Sequence, residues 1–289
     1  MNVHRVSSGQ LSAVIRAHGA ELCSLRGQDG HELLWQAGEA WPRYAPNLFP
    51  IVGRLKNDTL RYQGREYRMT QHGFARDREF AWLEKTSHSC RLILHEDSQT
   101  MKAYPFSFSF EIAYAIEGDA LRVEFLARNT GRSVLPVSFG AHPAFCWPLR
   151  KGIEKNTHHL AFSHEESHAA WRLRDGLLAY ECVNPVKRKI LDLNDGLFAE
   201  DAVIFKAPAS KSVFYGVPGV SGLRISWDEG FQQLGVWSKS GADFVCIEPW
   251  NGMASPIDFN GDILDKPGIM LIPPNASRIA HYSVSPTIF

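Results

Sequence analysis

Long apolar runs are missing from this sequence. Nowhere do about 18 consecutive apolar residues occur, so no segment reads as a membrane-spanning helix. The N-terminal stretch MNVHRVSSGQLSAVIRAHG has no continuous apolar centre and does not read as a signal peptide. Cysteine is scarce. Cys23, Cys90, Cys146, Cys182 and Cys246 are odd in number and never in CxxC spacing, which argues against a disulfide framework and fits reduced thiols in a cytoplasm. On that reading the sequons at Asn57 and Asn275 are chance matches. An excess of either charge is also missing: 31 Lys+Arg balance 31 Asp+Glu. Chains that live on nucleic acid or anionic membranes normally carry a basic surplus, because phosphate neutralisation drives that binding. No Pro/Ser-rich or single-charge linker divides the chain, so one domain over residues 1–289 is expected. GxGxxG, GxxxxGK[ST] and GxSxG are all absent, which leaves dinucleotide, P-loop and hydrolase-elbow readings without support.

What is present is a period of two. With 44% hydrophobic residues the chain has the apolar content for a large core. Phe106, Phe108, Phe110, Ile112, Tyr114 and Ile116 fill every second position, and Leu121, Val123, Phe125 and Ala127 repeat the pattern beyond Gly118-Asp119. The two segments read as an antiparallel pair with one wet face. Asp29-Gly30 between Glu21–Leu25 and Glu32–Trp35, and Gln63-Gly64 between Leu60–Tyr62 and Glu66–Met69, read as hairpin turns. Sixteen prolines and 23 glycines leave little room for helices, apart from a short one near Phe198–Asp201. Short strands at about ten-residue spacing predict an all-β chain folded as a large antiparallel sandwich or barrel.

His164-Glu165-Glu166-Ser167-His168 matches HExxH, which in zinc proteases sets two imidazoles on one helix face with the glutamate as base. The spacers here are polar and the preceding His159–Ser163 reads as a strand running into a loop. A solvated histidine-rich loop is therefore the plainer reading, with a zinc hydrolase kept as an alternative. Three other segments place polar side chains among aromatics: Asn47–Arg54 with Gln71–Arg76, Phe139–Phe145, and Phe244–Trp250. Glu248 ends an apolar strand, where burial would raise its pKa into a range useful for acid/base work. His142 sits between Gly140 and Pro143, which restricts its backbone. Arg54, Arg76 and Arg78 lie near the aromatic cluster. Singly, such residues are more often a hydrogen-bonded core histidine, or a strand-end glutamate paired with arginine. Together they point to a site.

NLFPIVGRL at 47–55, QHGFAR at 71–76, GAHPAF at 140–145 and CIEPWNG at 246–252, in that order, resemble the aldose 1-epimerase (mutarotase) superfamily. The likeness is to its LacX-like branch, close to the hexose-6-phosphate mutarotases. The resemblance implies a galactose-mutarotase-like supersandwich with a sugar cleft on one face, and exchange of the α and β anomers of an aldose or aldose phosphate. It matches His142 and Glu248 to the catalytic positions and Arg54, His72 and Arg76 to substrate-binding ones. Asp201 is matched to the sugar-binding aspartate on a shorter motif. Anomer exchange opens the ring C–O bond, lets the aldehyde rotate about C1–C2, and recloses it. Glu248 would take the C1 hydroxyl proton while His142 protonates the ring oxygen, the two exchanging roles for the other face. Each transfer is worth about 10²–10⁴ in rate. Arg54 and Asp201 would hold sugar hydroxyls, and Trp250 with the Phe74 region would offer an apolar face. No redox step is involved, so neither cofactor nor metal is expected. The expected partner is a small sugar or sugar phosphate. Two features depart from the family: Ser255-Pro256 stand where an aspartate often follows EPW, and Pro273–Ala276 replaces a Pro-Gly-Glu turn. A non-catalytic carbohydrate-binding protein on the same fold is the alternative of another class. A glycoside hydrolase using Asp201 with Glu248 is a further one.

Overall fold

The strongest two-residue period in the sequence forms a long hairpin. In the computed structural model, which describes residues 2–287, Phe108–Glu117 pairs antiparallel with Ala120–Asn129. Phe108, Phe110, Ile112 and Tyr114 point to the same side as Leu121, Val123, Phe125 and Ala127, and all are buried. Each large apolar side chain buried this way contributes about 1.5–3 kcal/mol. Charged residues hold the other face, where Arg122 meets Glu124 at 2.8 Å. The hairpin belongs to a nine-stranded sheet ordered Ile190–Asp192, His159–Phe162, Ser212–Val217, Ser221–Trp227, Ser277–Thr287, Ala120–Asn129, Phe108–Glu117, Ser89–His95, Ala81–Lys85.

An eight-stranded sheet lies against it. Its order is Leu177–Cys182, Ala170–Arg174, Val203–Phe205, Gln233–Trp237, Phe244–Asn251, Phe139–Ala141, Asn47–Leu48, with Ala144–Cys146 also paired to Phe244–Asn251. The sheets share one aromatic core. Phe49 stacks on Phe110 at 4.3 Å between ring centroids, and Phe125 on Phe139 at 6.1 Å. The named strands pair antiparallel throughout, so the expected all-β sandwich is the fold. The helices among the described residues are one four-residue α-turn, Thr100–Ala103, and five short 3₁₀ turns.

The local expectations fared unevenly. The Gln63-Gly64 turn forms as expected, with φ of 48° and 74° joining Thr59–Tyr62 to Arg65–Arg68, the two positive values a type I′ turn requires. The Asp29-Gly30 turn also forms, but its return arm is not a hairpin strand. Arg26 and Glu32 make one isolated bridge, and Trp35 then donates its backbone N–H to Ala144 in the other sheet. The side chains of Leu33 and Leu34 join the main core there, and that burial outweighs continuing the pairing. The short helix near Phe198–Asp201 lies slightly earlier, as a 3₁₀ turn at Asp195–Phe198 capped by the Asn194 side chain. The substituted turn Pro273–Ala276 closes by itself: Ala276 N–H reaches Pro273 O at 3.1 Å and Asn275 takes the positive φ of 64°, a conformation asparagine tolerates.

The HEESH segment is a loop, not a helix. Glu166 is buried and its carboxylate accepts the backbone N–H groups of Ala209 and Ser210, both at 2.9 Å. It is occupied in holding two loops together, while His164 and His168 are exposed. The helix face that a zincin site needs does not exist here.

Phe244–Asn251 is the strand that positions the site. Every residue in it is buried, so both of its faces are covered, as its unbroken apolar run requires. Val245 and Ile247 enter the main core between the sheets. Phe244, Cys246 and Trp250 alternate to the other side, into smaller clusters on the outer face of the eight-stranded sheet. Val203, Phe205, Leu234 and Val236 obey the same split, with Ile204 and Trp237 outward. By the period of two, Glu248 faces outward as well.

Candidate active site

On that outer face lies a cavity of about 310 Å³, at the small end for a ligand site, lined by residues that include Trp41, His72, Arg76, His142, Glu248 and Trp250. Two distant motifs meet to build one wall. Gly53 N–H donates to His72 Nδ1 at 3.1 Å, and His72 N–H to Gly53 O at 2.8 Å. Phe74 and Ala75 N–H both reach Phe49 O, at 3.0 and 3.1 Å. The turn between them has Gly73 at φ 70°, where a Cβ would lie 2.3 Å from Phe49 O, so only glycine fits. Because a backbone N–H can only donate, His72 Nδ1 must accept, and its proton is held on Nε2. Burial, with neighbouring His142 and Arg76, keeps this ring neutral by lowering its pKa well below the usual value.

His142 and Glu248 form the centre. His142 Nε2 lies 3.2 Å from Glu248 Oε2, with side-chain exposures of 9% and 1%. His142 stacks on Trp41 at 5.0 Å and meets the edges of Trp237 and His72, which fixes the imidazole plane. Burial, then the charge of Arg76, lowers His142 to about 3. Burial also raises Glu248 well above the carboxylate range, with the negative Asp201 adding to the shift and the Trp250 indole opposing it. Both shifts have one cause: the enclosed site disfavours any charged form. Burial thus works against charge on both members of the pair.

Four buried polar atoms on the cavity residues lack a hydrogen-bond partner: Arg76 Nε, His142 Nδ1, Glu248 Oε2 and Trp250 Nε1. Buried polar groups are normally satisfied, and each orphan costs about 1–3 kcal/mol. Their concentration on one cavity is the signature of a polar ligand. A larger cavity of about 480 Å³ is lined by Asp29, Arg150 and Ser221 among others. Its Asp29–Arg150 pair is already closed at 2.6 Å, and it holds no acid/base pair of this kind.

Of the sequence-expected residues, the fold brings His72, Arg76, His142, Asp201 and Glu248 to this cavity. Asp201 is exposed at its edge, with a positive φ of 67°. Arg54 is not brought there. Its guanidinium grips Asp58 through two bonds, at 2.7 and 3.1 Å, and donates to Asp175 O. Arg78 turns to Asp97 at 3.5 Å. The expected trio of arginines thus reduces to Arg76. Phe74 packs into the main core instead, and the aromatic walls beside Trp250 are Trp41 and Trp237. These two were missed, as was Arg43, whose Asp77 partner it shares with Arg76. Glu21 was missed too. Buried on its strand, it accepts the backbone N–H groups of Tyr44 and Ala45, each at 3.0 Å, and bonds Arg16. It thereby fixes the loop that carries Trp41 and Arg43. A charged residue opening an alternating strand, as Glu21 does in Glu21–Gly27, was the available signal.

Among the described residues, one group of three His, Cys, Asp or Glu side chains has ligand atoms all within 4.8 Å of one another: His142, Cys246 and Glu248. The HEESH histidines belong to no such group.

A family model described as aldose 1-epimerase matches residues 2–206. The chain belongs to the aldose 1-epimerase family. Similarity continues past the matched residues. The plasmid-encoded protein LacX of Lactococcus lactis subsp. lactis is 31% identical over 288 residues, covering 95% of this chain and 96% of that protein. A solved structure of a galactose mutarotase related enzyme from Lactobacillus acidophilus superposes with a TM-score of 0.93 at 30% identity, covering 99% of this chain and 97% of the other. A galactose mutarotase-like protein from Lactobacillus casei gives 0.90 at 25% identity, covering 99% and 100%. The sandwich described above is therefore the galactose-mutarotase-like fold, and the two sequence departures of this family member leave it intact.

Proposed function

We propose that this chain interconverts the α and β anomers of a hexose or hexose phosphate by general acid/base ring opening and reclosure. The observation that carries the reading is the enclosed His142–Glu248 pair at 3.2 Å, set in a cavity where buried polar atoms await partners. A sugar ring supplies what those atoms lack, since its hydroxyls both donate and accept. The pair shares one transferable proton and one vacant acceptor, which is what ring opening consumes at the ring oxygen and the C1 hydroxyl. In one direction Glu248 takes the C1 hydroxyl proton while His142 gives the pair's proton to the ring oxygen. Reclosure after rotation about C1–C2 exchanges the two roles for the opposite anomer. The site therefore ends each exchange able to begin another.

His72 presents an N–H, Arg76 a half-buried cation and Asp201 a carboxylate for hydroxyl or phosphate recognition. Trp250, Trp41 and Trp237 bound the space around the ring with aromatic surface. Lowering of Arg76 to about 10 by burial and by Arg43 leaves it charged at neutral pH, so this arginine biases the cavity toward an anionic substituent.

Polarimetry or NMR exchange on free and 6-phosphorylated hexoses tests the reading. His142→Ala and Glu248→Gln should each slow exchange by about 10²–10⁴. Unchanged rates in both variants would sink the proposal. Measured sugar affinity with no rate enhancement in the parent chain would assign a binding protein instead.

A further inference from the structure

The acid/base chemistry does not use Cys246, yet its sulfur belongs to the same tight group as the two reacting side chains. Cys246 and Glu248 stand two apart on Phe244–Asn251 and so share its outer face. His142 precedes by two residues Ala144, which is the register partner of Cys246. The sandwich thus sets one imidazole, one thiol and one carboxyl together, with every ligand atom within 4.8 Å of the others and all three residues buried. His142 Nε2 to Glu248 Oε2 is 3.2 Å, close to the edge of about 3.3 Å that two ligands span on a tetrahedral zinc ion. Glu248 Oε2 is buried, unpartnered and available as a ligand.

We infer that His142, Cys246 and Glu248 form a capture site for thiophilic divalent cations such as Zn²⁺ and Cd²⁺, and that filling it blocks the sugar cavity. The donor set is one N, one S and one O from three protein side chains, the ligand count of open zinc sites. Charge balance favours it. A ligating thiolate and carboxylate together neutralise the ion, so no net charge is buried. The cation is an inhibitor on this account, not a cofactor: it occupies the atoms that move protons. Metal and sugar should exclude one another.

Cadmium chloride added to the purified full chain tests this directly, because thiolate coordination creates an ultraviolet charge-transfer band that needs no catalysis to be seen. The expected result is a band of one Cd²⁺ per chain, removed by EDTA, and absent from both Cys246→Ser and Cys246→Ala. No band, or a band of the same size in both variants, would overturn the inference by leaving the metal unbound or assigning it to another of the five thiols. In the exchange assay, Cd²⁺ that fills the band should slow the parent chain about tenfold or more, and Cys246→Ala less than about twofold. Equal inhibition of the two would overturn it as well. The band decides the metal site even if exchange activity itself proves absent, so failure of the mutarotase reading stays distinguishable.

Discussion

Arg54 and Arg76 are one residue type in opposite situations. The first spends both ends of its guanidinium on Asp58; the second, half-buried at the cavity, donates to Gln71 O and leaves Nε without a hydrogen bond. Nothing in the local sequence separates them, because the difference is which carboxylate the folded chain supplies. Arg76→Lys should raise KM for the sugar by about tenfold, the loss of a charged hydrogen bond, while Arg54→Lys should stay within about twofold of the parent. Comparable effects in the two would contradict the cavity assignment. Glu248 has the same logic in pH. Its raised pKa means that the acid form persists past the usual carboxylate range, so kcat/KM should hold across mildly acidic pH and fall on the alkaline side as Glu248 ionises. A rate that instead rises through that window would place the resting proton elsewhere.

Strands and turns decide whether these side chains are held still. Legibility was high where a period of two faced one core: the hairpin of Phe108–Glu117 and Ala120–Asn129 follows from its alternation alone. It was lower at Glu32–Trp35, where two competing surfaces claimed one segment. Two devices outside the cavity hold its walls. Glu21 fixes the Trp41–Arg43 loop, and its removal leaves Arg16 and two backbone N–H groups without a partner. Glu21→Ala should cost about 1–3 kcal/mol of stability for the orphaned backbone N–H groups, measured by denaturant unfolding, and should slow exchange through the displaced Trp41. Gly73→Ala must adopt positive φ and press a methyl on Phe49 O. A destabilisation above about 2 kcal/mol is expected; a neutral effect would show that the His72 turn can relax.

Over the whole molecule the balance of 31 cations and 31 anions gives weak long-range steering, and the consequential electrostatics is local. His142 and His72 are buried neutral with pKa values depressed below an unfolded value near 6.5. Stability they contribute is full above about 6.5 and is lost as pH falls toward their folded values, about 3 for His142, because only the unfolded chain takes up the protons. Glu248 has the opposite sign: its folded pKa is raised, so its contribution is present in acid and lost as pH climbs through that value. Urea unfolding between pH 6.5 and 4 should therefore show stability declining with acidity, and less steeply in His142→Gln. An unchanged slope would mean that the imidazole is already solvated in the native state.

The sequence by itself determined the all-β class and the period that puts Glu248 opposite the core, because alternation is a local property; that His142 and Glu248 belong together was what the family resemblance implied. Only the tertiary structure decided that Arg76 rather than Arg54 reaches the cavity, and that Trp41, Arg43 and Glu21 serve it. It also decided that Glu166 staples loops instead of assisting zinc, and that the Cys246 thiol lies beside His142 and Glu248. Each of those outcomes depends on which buried polar group finds its partner across the sandwich, and such partners lie far apart along the chain. A strand fixes the face of the sheet on which a side chain stands; the register of its neighbours fixes what it meets there.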